Sequence, residues 1–185
     1  MTALPTPVLR SATAADAGRL REIYAYYVER TAVTFEIETP SVDEFRARVL
    51  RTLERYPYLV LEADGAILGY AYAGPFVGRA AYSHCAELSV YLDRSARRQG
   101  YGRALYGALA AALQAQGILN LYACIADPET EDEYLTHDSE RFHERLGFTR
   151  VGIFHRWGRK FGRWYNMIWM EKLIGPAPSR QDAGN

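Results

Sequence analysis

Residues 97–105 read Arg-Arg-Gln-Gly-Tyr-Gly-Arg-Ala-Leu, and they follow a strand-like run over residues 87–92. The stretch joins a basic turn, two closely spaced glycines and the start of a long apolar helix. Glycine lets a phosphate approach the backbone, and the first N–H groups of a helix have no partner within it. Arginines add charge-assisted hydrogen bonds to an anion. The stretch therefore predicts a pyrophosphate-binding turn between a strand and a helix.

The glycine spacing excludes two common phosphate-binding motifs. A P-loop requires Gly-x4-Gly-Lys-Ser/Thr, and the sequence has no such run. A dinucleotide fingerprint requires a third glycine three residues after Gly102, where the chain has Leu105. The remaining pattern is Arg97-x-x-Gly100-x-Gly102 after a strand. An ordinary strand-to-helix turn with solvated arginines is the alternative explanation of this pattern.

Composition limits the class of protein. The chain has 185 residues, of which 49% are hydrophobic and 24% charged, as expected of one globular domain with one core. Its 22 basic and 22 acidic side chains balance, which argues against a surface-wide nucleic-acid footprint. No apolar run reaches the length of a membrane span, and no signal-peptide pattern is evident. Two cysteines suit reduced thiols, so we expect a cytoplasmic protein without a nucleic-acid or membrane partner.

Hydrophobic periodicity and turn signals predict a single domain over residues 8–173, between a flexible N-terminus (1–7) and a disordered tail (174–185). We expect strands at 8–10, 58–62, 67–74, 85–92, 118–126, 148–156 and 164–172. We expect helices at 16–29, 101–116 and 139–146. Another helix follows a capping box at Ser41 and Glu44, and its apolar face is predicted to bury Val42, Phe45, Val49 and Leu53. This order predicts an α/β fold of the α+β type.

Several further motifs occur in a recognisable order. Glu87-Leu88-Ser89-Val90-Tyr91 precedes the turn, and His143-Glu144-Arg145-Leu146-Gly147-Phe148 and Lys160-Phe161-Gly162-Arg163-Trp164 follow it. Ile23-Tyr24, Thr34-Phe35-Glu36 and Pro40 come near the start. Together with the turn, these motifs resemble the phosphinothricin acetyltransferase branch of the GCN5-related N-acetyltransferase (GNAT) superfamily over roughly residues 8–172.

The resemblance implies a fold and an activity. The GNAT fold has a mixed, mostly antiparallel central sheet flanked by helices and splayed between the fourth and fifth strands, here residues 85–92 and 118–126. The implied reaction transfers an acetyl group from acetyl-CoA to the primary amine of a small molecule such as an amino acid or its analogue. The amine attacks directly in a ternary complex.

His137, Glu140 and His143 have the residue types of a metal site. The two histidines, however, are six residues apart and would lie on different faces of a helix, so we expect no metal.

The resemblance also implies a set of site residues. The expected acetyl-CoA contacts are Val90, Tyr91, Leu92, Arg97, Arg98, Gln99, Gly100, Tyr101, Gly102, Arg103, Thr136 and Ser139. The expected acceptor contacts are Phe35, Glu36, Arg79 and Tyr82. Lys160, Arg163 and Trp164 suit either the acceptor entrance or the contact surface of a homodimer, and the sequence does not choose between them.

Glu87 is the expected general base, because the acceptor amine must lose a proton and a carboxylate can accept it. Strand alternation puts Glu87, Ser89 and Tyr91 on one face, unless a bulge disturbs it. The alternative is a structural ion pair of Glu87 with Arg79 or Arg156. His143 is the second expected catalytic residue, since an imidazole can donate to the leaving thiolate or position a water. An ordinary histidine on a helix surface is its alternative.

Some residues depart from the family pattern and leave the acceptor open. Thr136 stands where the family usually has asparagine, Asn166 where the branch often has aspartate, and an acidic stretch (129–133) is inserted. A non-catalytic acyl-CoA sensor on the same fold is the alternative function. A covalent route through Cys85 beside His84 is disfavoured, because adjacent strand residues point to opposite faces. The tyrosine clusters are expected to be ordinary packing, with a partly polar cleft as the alternative.

Overall fold

A seven-stranded sheet carries the fold in the computed structural model, which describes residues 7–176. The strands are β1 (Val8–Ser11), β2 (Tyr58–Ala63), β3 (Ala66–Pro75), β4 (Cys85–Leu92), β5 (Asn120–Asp127), β6 (Thr149–Lys160) and β7 (Arg163–Leu173). The helices are α1 (Ala17–Arg30), α2 (Val42–Leu53), α3 (Tyr101–Ala115) and α4 (Asp138–Arg145). Helices α1 and α2 pack on one face of the sheet, and α3 and α4 pack on the other.

The strand order is β1-β2-β3-β4-β5-β7-β6, and every neighbouring pair is antiparallel except β4–β5. These two parallel strands pair only at Cys85↔Asn120, Ala86↔Leu121 and Glu87↔Tyr122. Beyond Glu87, β4 continues to Leu92 without pairing to β5. The mixed, mostly antiparallel sheet and the splay between the fourth and fifth strands are therefore confirmed.

Strand β4 separates two hydrophobic cores. Leu88, Val90 and Leu92 pack with α3, whereas the Tyr91 ring packs among tyrosines on the side of α1 and α2. The β3–β4 register runs without a shift from Gly69↔Leu92 to Pro75↔Ala86. The strand therefore keeps a regular alternation across this pairing, with no bulge, and Glu87 shares a face with Tyr91.

Local sequence signals explain most element boundaries. Asp64 and Gly65 both have positive φ angles, 51° and 72°, which suit the two-residue turn of the β2–β3 hairpin. Ser41 Oγ accepts from the Glu44 N–H at 3.2 Å, and Glu44 Oε2 accepts from the Ser41 N–H at 2.7 Å, so the expected capping box forms. The expected burial of Val42 is wrong: the residue is 39% exposed, because the whole first turn of α2, residues 41–44, faces solvent.

Strand β6 extends further than expected, to Lys160. A register shift between Phe154 and Gly158 marks an irregularity at which Arg156 has a φ of 50°. The Arg156 N–H, freed from the ladder, donates to the Asn166 side chain on β7 at 2.9 Å. The buried side-chain amide of Asn166 on the neighbouring strand thus accepts the backbone hydrogen bond that this irregularity leaves without a ladder partner.

The chain ends are partly outside the described residues. Outside the described residues lie residues 1–6 of the expected flexible N-terminus and residues 177–185 of the expected tail. Within the described part, the N–H groups of Ile174 and Gly175 both donate to the Leu119 carbonyl, so these two residues belong to the folded domain. Between residues 7 and 176, no helix has the length and apolarity needed to cross a bilayer.

Replacing the cap residue tests the start of α2. We expect Ser41→Ala to lower the free energy of unfolding by about 1 kcal/mol, because the Glu44 N–H loses its acceptor and the Glu44 carboxylate loses the Ser41 hydroxyl donor. Urea denaturation of both proteins measures the difference. Ser83→Ala is the control, since its hydroxyl makes no side-chain hydrogen bond within residues 7–176. Equal stability of Ser41→Ala and Ser83→Ala would contradict a stabilising role for the capping box.

Candidate active site

A cleft opens where β4 and β5 diverge, and it brings together residues from four elements. Strand β4 contributes Ser89, Val90 and Tyr91, and β5 contributes Cys124. Helices α3 and α4 close it with Tyr106, Ser139 and His143. Because β4 has no β5 partner here, part of its backbone is available to a ligand. Three expected cofactor contacts, Val90, Tyr91 and Ser139, therefore share one cleft.

The basic turn before α3 has the geometry of an anion site. Gly100 is the N-cap of α3 with a φ of 82°, a conformation that suits glycine, and a Cβ there would meet nothing within 4 Å. The first backbone bond of the helix runs from the Ala104 N–H to the Gly100 carbonyl. The N–H groups of residues 100–103 have no acceptor of their own within residues 7–176. Four amides at the positive end of a helix dipole are thus free.

Arginines surround these amides. The Arg97 guanidinium lies 5.4 Å and 5.2 Å from the ring centroids of Tyr26 and Tyr27, which fixes the turn against α1. Arg98, with a φ of 62°, and Arg103 are both exposed, and neither forms a salt bridge within the described residues. The turn therefore carries unneutralised positive charge beside the free amides.

The other expected cofactor residues differ in position. Gly102 is buried, and a Cβ there would lie 3.1 Å from the Phe142 ring, so the helix start requires a very small residue. Gln99 donates to the Ser95 carbonyl at 3.1 Å. Leu92 and Tyr101 pack against the core under α3. Thr136 is exposed, and its hydroxyl accepts from the Asp138 N–H at 3.3 Å.

Glu87 lies at the last paired position before the strands diverge. Its side chain is half-buried and forms no salt bridge or hydrogen bond with any residue between 7 and 176. The alternative of an ion pair with Arg79 or Arg156 is therefore wrong. Burial raises the pKa of Glu87 above its usual value. A carboxylate held without a cation is a stronger base than a solvated one.

His143 is buried in a closed hydrogen-bond network. Its Nδ1 lies 2.7 Å from the Ser139 carbonyl, which can only accept, so Nδ1 carries the proton. Its Nε2 lies 2.9 Å from the Tyr106 hydroxyl and therefore accepts from it. Burial lowers the pKa of His143 to about 4, so the ring is neutral at pH 7. Tyr106 lies 37 residues before His143 in the chain, and no sequence motif signals that the two side chains meet.

Two thiols lie near the cleft, and neither is activated. Cys124 lines the cleft and is exposed to it; desolvation by the cleft walls, followed by the nearby Glu87 charge, raises the pKa of its thiol. Cys85 is buried, and burial raises the pKa of its thiol as well. Because a nucleophilic cysteine needs a lowered pKa, the geometry disfavours the covalent route at both positions.

The 31–40 loop is anchored from two sides. Buried Lys160, at the end of β6, donates to the Thr34 carbonyl at 2.8 Å, and the Tyr24 hydroxyl lies 2.9 Å from the Thr34 hydroxyl. Burial lowers the pKa of Lys160 to about 8, and the Glu36 charge opposes this shift. Phe35 packs over Gly158, where a Cβ would lie 2.5 Å from its ring. The loop is thus held against β6 by contacts that only a glycine permits.

The remaining expected acceptor residues occupy different surroundings. Glu36 forms a 2.6 Å salt bridge with Arg48 of α2. Arg79 and Tyr82 are exposed in the connection between β3 and β4. The Tyr82 ring packs on Phe76, which stacks on Tyr122 at 4.2 Å and contacts Trp169. This aromatic group includes the β5 residue that pairs with Glu87, so it flanks the carboxylate.

The acidic insertion has a structural use. Asp132 accepts from the N–H groups of Tyr134 and Leu135 and from the Tyr165 hydroxyl, and Arg163 pairs with Asp132 and Glu133 at 2.9 Å each. Arg163 therefore belongs to this anchor, whereas the Trp164 side chain is 57% exposed.

A second group of polar residues lies at the end of β5. Asp127, His137 and Glu140 bring ligand-type atoms within 4.8 Å of one another. The Arg150 guanidinium already contacts two of them, at 3.0 Å from Glu140 and 3.5 Å from Asp127. His143 is not part of this group of possible metal ligands. The expectation of no metal stays a prediction, and the arginine supplies the positive charge that this cluster requires.

Comparison with known proteins agrees with this geometry. Residues 9–169 match the family model described as "Acetyltransferase (GNAT) domain". The chain is 36% identical to a phosphinothricin N-acetyltransferase of Streptomyces viridochromogenes, over 93% of this chain and 91% of that protein. It is 31% identical to the L-amino acid N-acyltransferase MnaT of Escherichia coli, over 88% and 91% respectively.

A solved structure is similar over nearly the whole length. The crystal structure of a GNAT superfamily phosphinothricin acetyltransferase from Sinorhizobium meliloti, in complex with AcCoA, has a TM-score of 0.84 and 34% identity. The alignment covers 95% of this chain and 94% of that one. The chain therefore belongs to the GNAT acetyltransferase family.

Proposed function

We propose that this protein transfers an acetyl group from acetyl-CoA to the primary amine of a small molecule, an amino acid or amino-acid analogue, by direct attack in a ternary complex with Glu87 as general base. The observation that carries the proposal is Glu87, half-buried and without a side-chain partner among residues 7–176, at the point where β4 and β5 diverge. The names of the S. viridochromogenes and E. coli relatives support the acceptor class.

The residues present fit acetyl-CoA. The free amides of residues 100–103, with Arg97, Arg98 and Arg103 around them, suit its pyrophosphate. The unpaired part of β4, with Val90 and Tyr91, suits its pantetheine arm, and Ser139 lies across the same cleft. When bound, acetyl-CoA supplies an activated acetyl thioester. The S. meliloti relative, whose structure contains AcCoA, supports this assignment.

Glu87 accepts the proton that the acceptor's amine loses as its nitrogen forms the new bond to the acetyl carbon. The bond to the coenzyme's sulfur breaks, and the sulfur leaves as a thiolate. His143 is an unsuitable proton donor to this sulfur, because its one N–H is already donated to Ser139 and its pKa is low. We assign His143 and Tyr106 a positioning role in the cleft wall. The 31–40 loop, with Phe35 and Glu36, covers the acceptor, and Arg79 and Tyr82 flank it.

Removing the Glu87 charge tests the base. We expect Glu87→Gln to lower kcat/KM for the amine by about 100-fold or more, with acetyl-CoA affinity unchanged. Thiol release over a panel of amines and calorimetric titration with acetyl-CoA measure the two effects. Glu62→Gln on β2, which removes a carboxylate paired with Arg10, is the control and should keep full activity. An active Glu87→Gln protein would refute the general-base assignment.

The raised Glu87 pKa predicts the shape of the pH–rate profile. Below that pKa the carboxyl is protonated and cannot accept a proton, so activity falls as pH decreases, with a midpoint above 4.5. The acceptor amine also loses a proton as pH rises. Below the Glu87 pKa, a plot of log kcat/KM against pH should therefore have a slope of about two for wild type and of about one for Glu87→Gln. His143 should add no limb between about pH 5 and 8. A slope unchanged by the substitution would contradict the assignment.

We further propose a homodimer in the cytoplasm, with no nucleic-acid or membrane partner. The edge strand β6 and its hairpin carry exposed apolar side chains that suit a contact between copies, namely Val151, Phe154, Trp157 and Trp164. Sedimentation velocity should give twice the mass of one chain, and Trp157→Glu should give one chain. A monomeric wild-type protein would refute the dimer.

The two free cysteines, Cys85 and Cys124, suit a reducing compartment. Cell fractionation tests the proposed location in the cytoplasm.

A further inference from the structure

The end of β4 is bonded to a side chain of α1. The Asp93 N–H donates to the Leu68 carbonyl at 2.8 Å. This bond follows the Gly69↔Leu92 pair, and the alternation of an antiparallel ladder then turns the N–H and C=O of Leu92 away from β3. On that side β5 has already diverged, and the Tyr27 hydroxyl occupies the position of a strand partner. It donates to the Leu92 carbonyl at 2.7 Å and accepts from the Leu92 N–H at 3.2 Å.

This contact limits what Leu92 can offer a ligand. Both of its backbone groups are already bonded to one hydroxyl, and its side chain packs against the core under α3. Val90, two residues earlier, turns its backbone groups to the same side, where the pairing of β4 to β5 has ended. The part of β4 that is open to a ligand therefore ends at Val90, and Tyr27 closes the strand beyond it.

The ring of the same tyrosine contacts the basic turn before α3. The Arg97 guanidinium lies 5.2 Å from the Tyr27 ring centroid, within the range of a cation–π contact. The Tyr27 ring also meets the Tyr91 ring edge-on at 5.0 Å, and Tyr27 is only 7% exposed, so its position is fixed by packing. The hydroxyl of Tyr27 thus holds the last residue of the strand, and its ring holds an arginine of the turn.

A second side chain of α1 holds the next residue of the chain. Arg19 Nη2 lies 2.5 Å from Asp93 Oδ2, and Asp93 Oδ1 accepts from the Ser95 N–H at 2.9 Å. The chain is therefore held at Leu92 and at Asp93, immediately before the turn that leads to the free amides of residues 100–103. Binding groups that are held in place before a ligand arrives lose less conformational freedom on binding, and this raises affinity.

We propose that Tyr27 is a positioning residue for the acetyl donor: by holding both the end of β4 and Arg97, it keeps the basic turn in place for the diphosphate of acetyl-CoA. This inference rests on the proposed placement of that diphosphate at residues 100–103. Tyr27 acts through the backbone of Leu92 and the guanidinium of Arg97. Loss of its hydroxyl should therefore weaken binding of the diphosphate end of the donor and leave the chemistry at Glu87 unchanged.

Two donors separate positioning from general stability. Tyr27→Phe removes the hydroxyl and keeps the ring beside Arg97. We expect KM for acetyl-CoA to rise about tenfold, as the loss of two hydrogen bonds to one backbone residue would give, with kcat and KM for the amine unchanged. S-Acetylpantetheine carries the same thioester without the diphosphate, and its kcat/KM should stay within about twofold of wild type.

Tyr56→Phe is the matched control, because it also takes one hydroxyl from a buried tyrosine, in the core under α3. It should change the kinetics of neither donor. An equal loss of kcat/KM with both donors in Tyr27→Phe would mean general destabilisation and would overturn the proposal. An unchanged KM for acetyl-CoA would overturn it as well.

Calorimetry with coenzyme A tests the Tyr27 contacts without turnover, so it remains decisive even if no amine is acetylated and the proposed reaction fails. The Kd should be about tenfold higher for Tyr27→Phe than for wild type, with the same number of sites per chain. A partly unfolded variant would instead show fewer sites at an unchanged Kd. That result, or an unchanged Kd with the full number of sites, would overturn the proposal.

A variant of the turn distinguishes failure of this inference from failure of the proposed cofactor site. Arg103→Met removes an exposed guanidinium beside the free amides, and it should raise the Kd of coenzyme A about tenfold if the diphosphate binds there. If Arg103→Met weakens binding and Tyr27→Phe does not, the turn binds the diphosphate and Tyr27 does not position it. If neither variant weakens binding, the placement of the diphosphate at residues 100–103 is wrong, and the inference fails with it.

Discussion

The structure depends on the loss of pairing between β4 and β5 after Glu87. Parallel strands that remained hydrogen-bonded would close the sheet and bury the backbone of β4. Instead, three residue pairs hold the strands together, and the divergence beyond them creates the cleft. The same point brings the Glu87 carboxylate into a half-buried position without a cation partner in the described part of the chain. The cleft and the position of the Glu87 carboxylate therefore have one physical origin.

Contacts between distant segments preserve this opening. The Tyr106–His143–Ser139 network joins α3 to α4 on one side of the cleft. On the side of β6, Lys160 holds the 31–40 loop through the Thr34 carbonyl, and Gly158 leaves room for Phe35. Both anchors use neutral or weakly basic groups whose pKa values burial has lowered. Fixed dipoles and packing, more than exposed ion pairs, thus define the walls.

The two halves of the face near Glu87 have different chemistry. On the side of β5 and β7, the rings of Phe76, Tyr122 and Trp169 give an apolar surface. On the side of β2 and β3, hydroxyl groups and arginines line a cavity. If the acceptor amine meets Glu87 as proposed, it lies between an aromatic surface on one side and a polar cavity on the other. Such asymmetry suits recognition of a molecule with two unlike ends.

The sequence by itself determined the element order, the capping box of α2, the glycine-containing basic turn before α3 and the face of β4 that carries Glu87, because each follows from neighbouring residues and strand or helix periodicity. Motif resemblance located the splay. Tertiary structure alone decided that Glu87 has no cation partner among residues 7–176, and that His143 is buried against Tyr106. It also decided that the acidic insertion binds Arg163 and that tyrosines of α1, β2 and β3 line a cavity. These features join residues far apart in the chain, and packing determines which side chains meet.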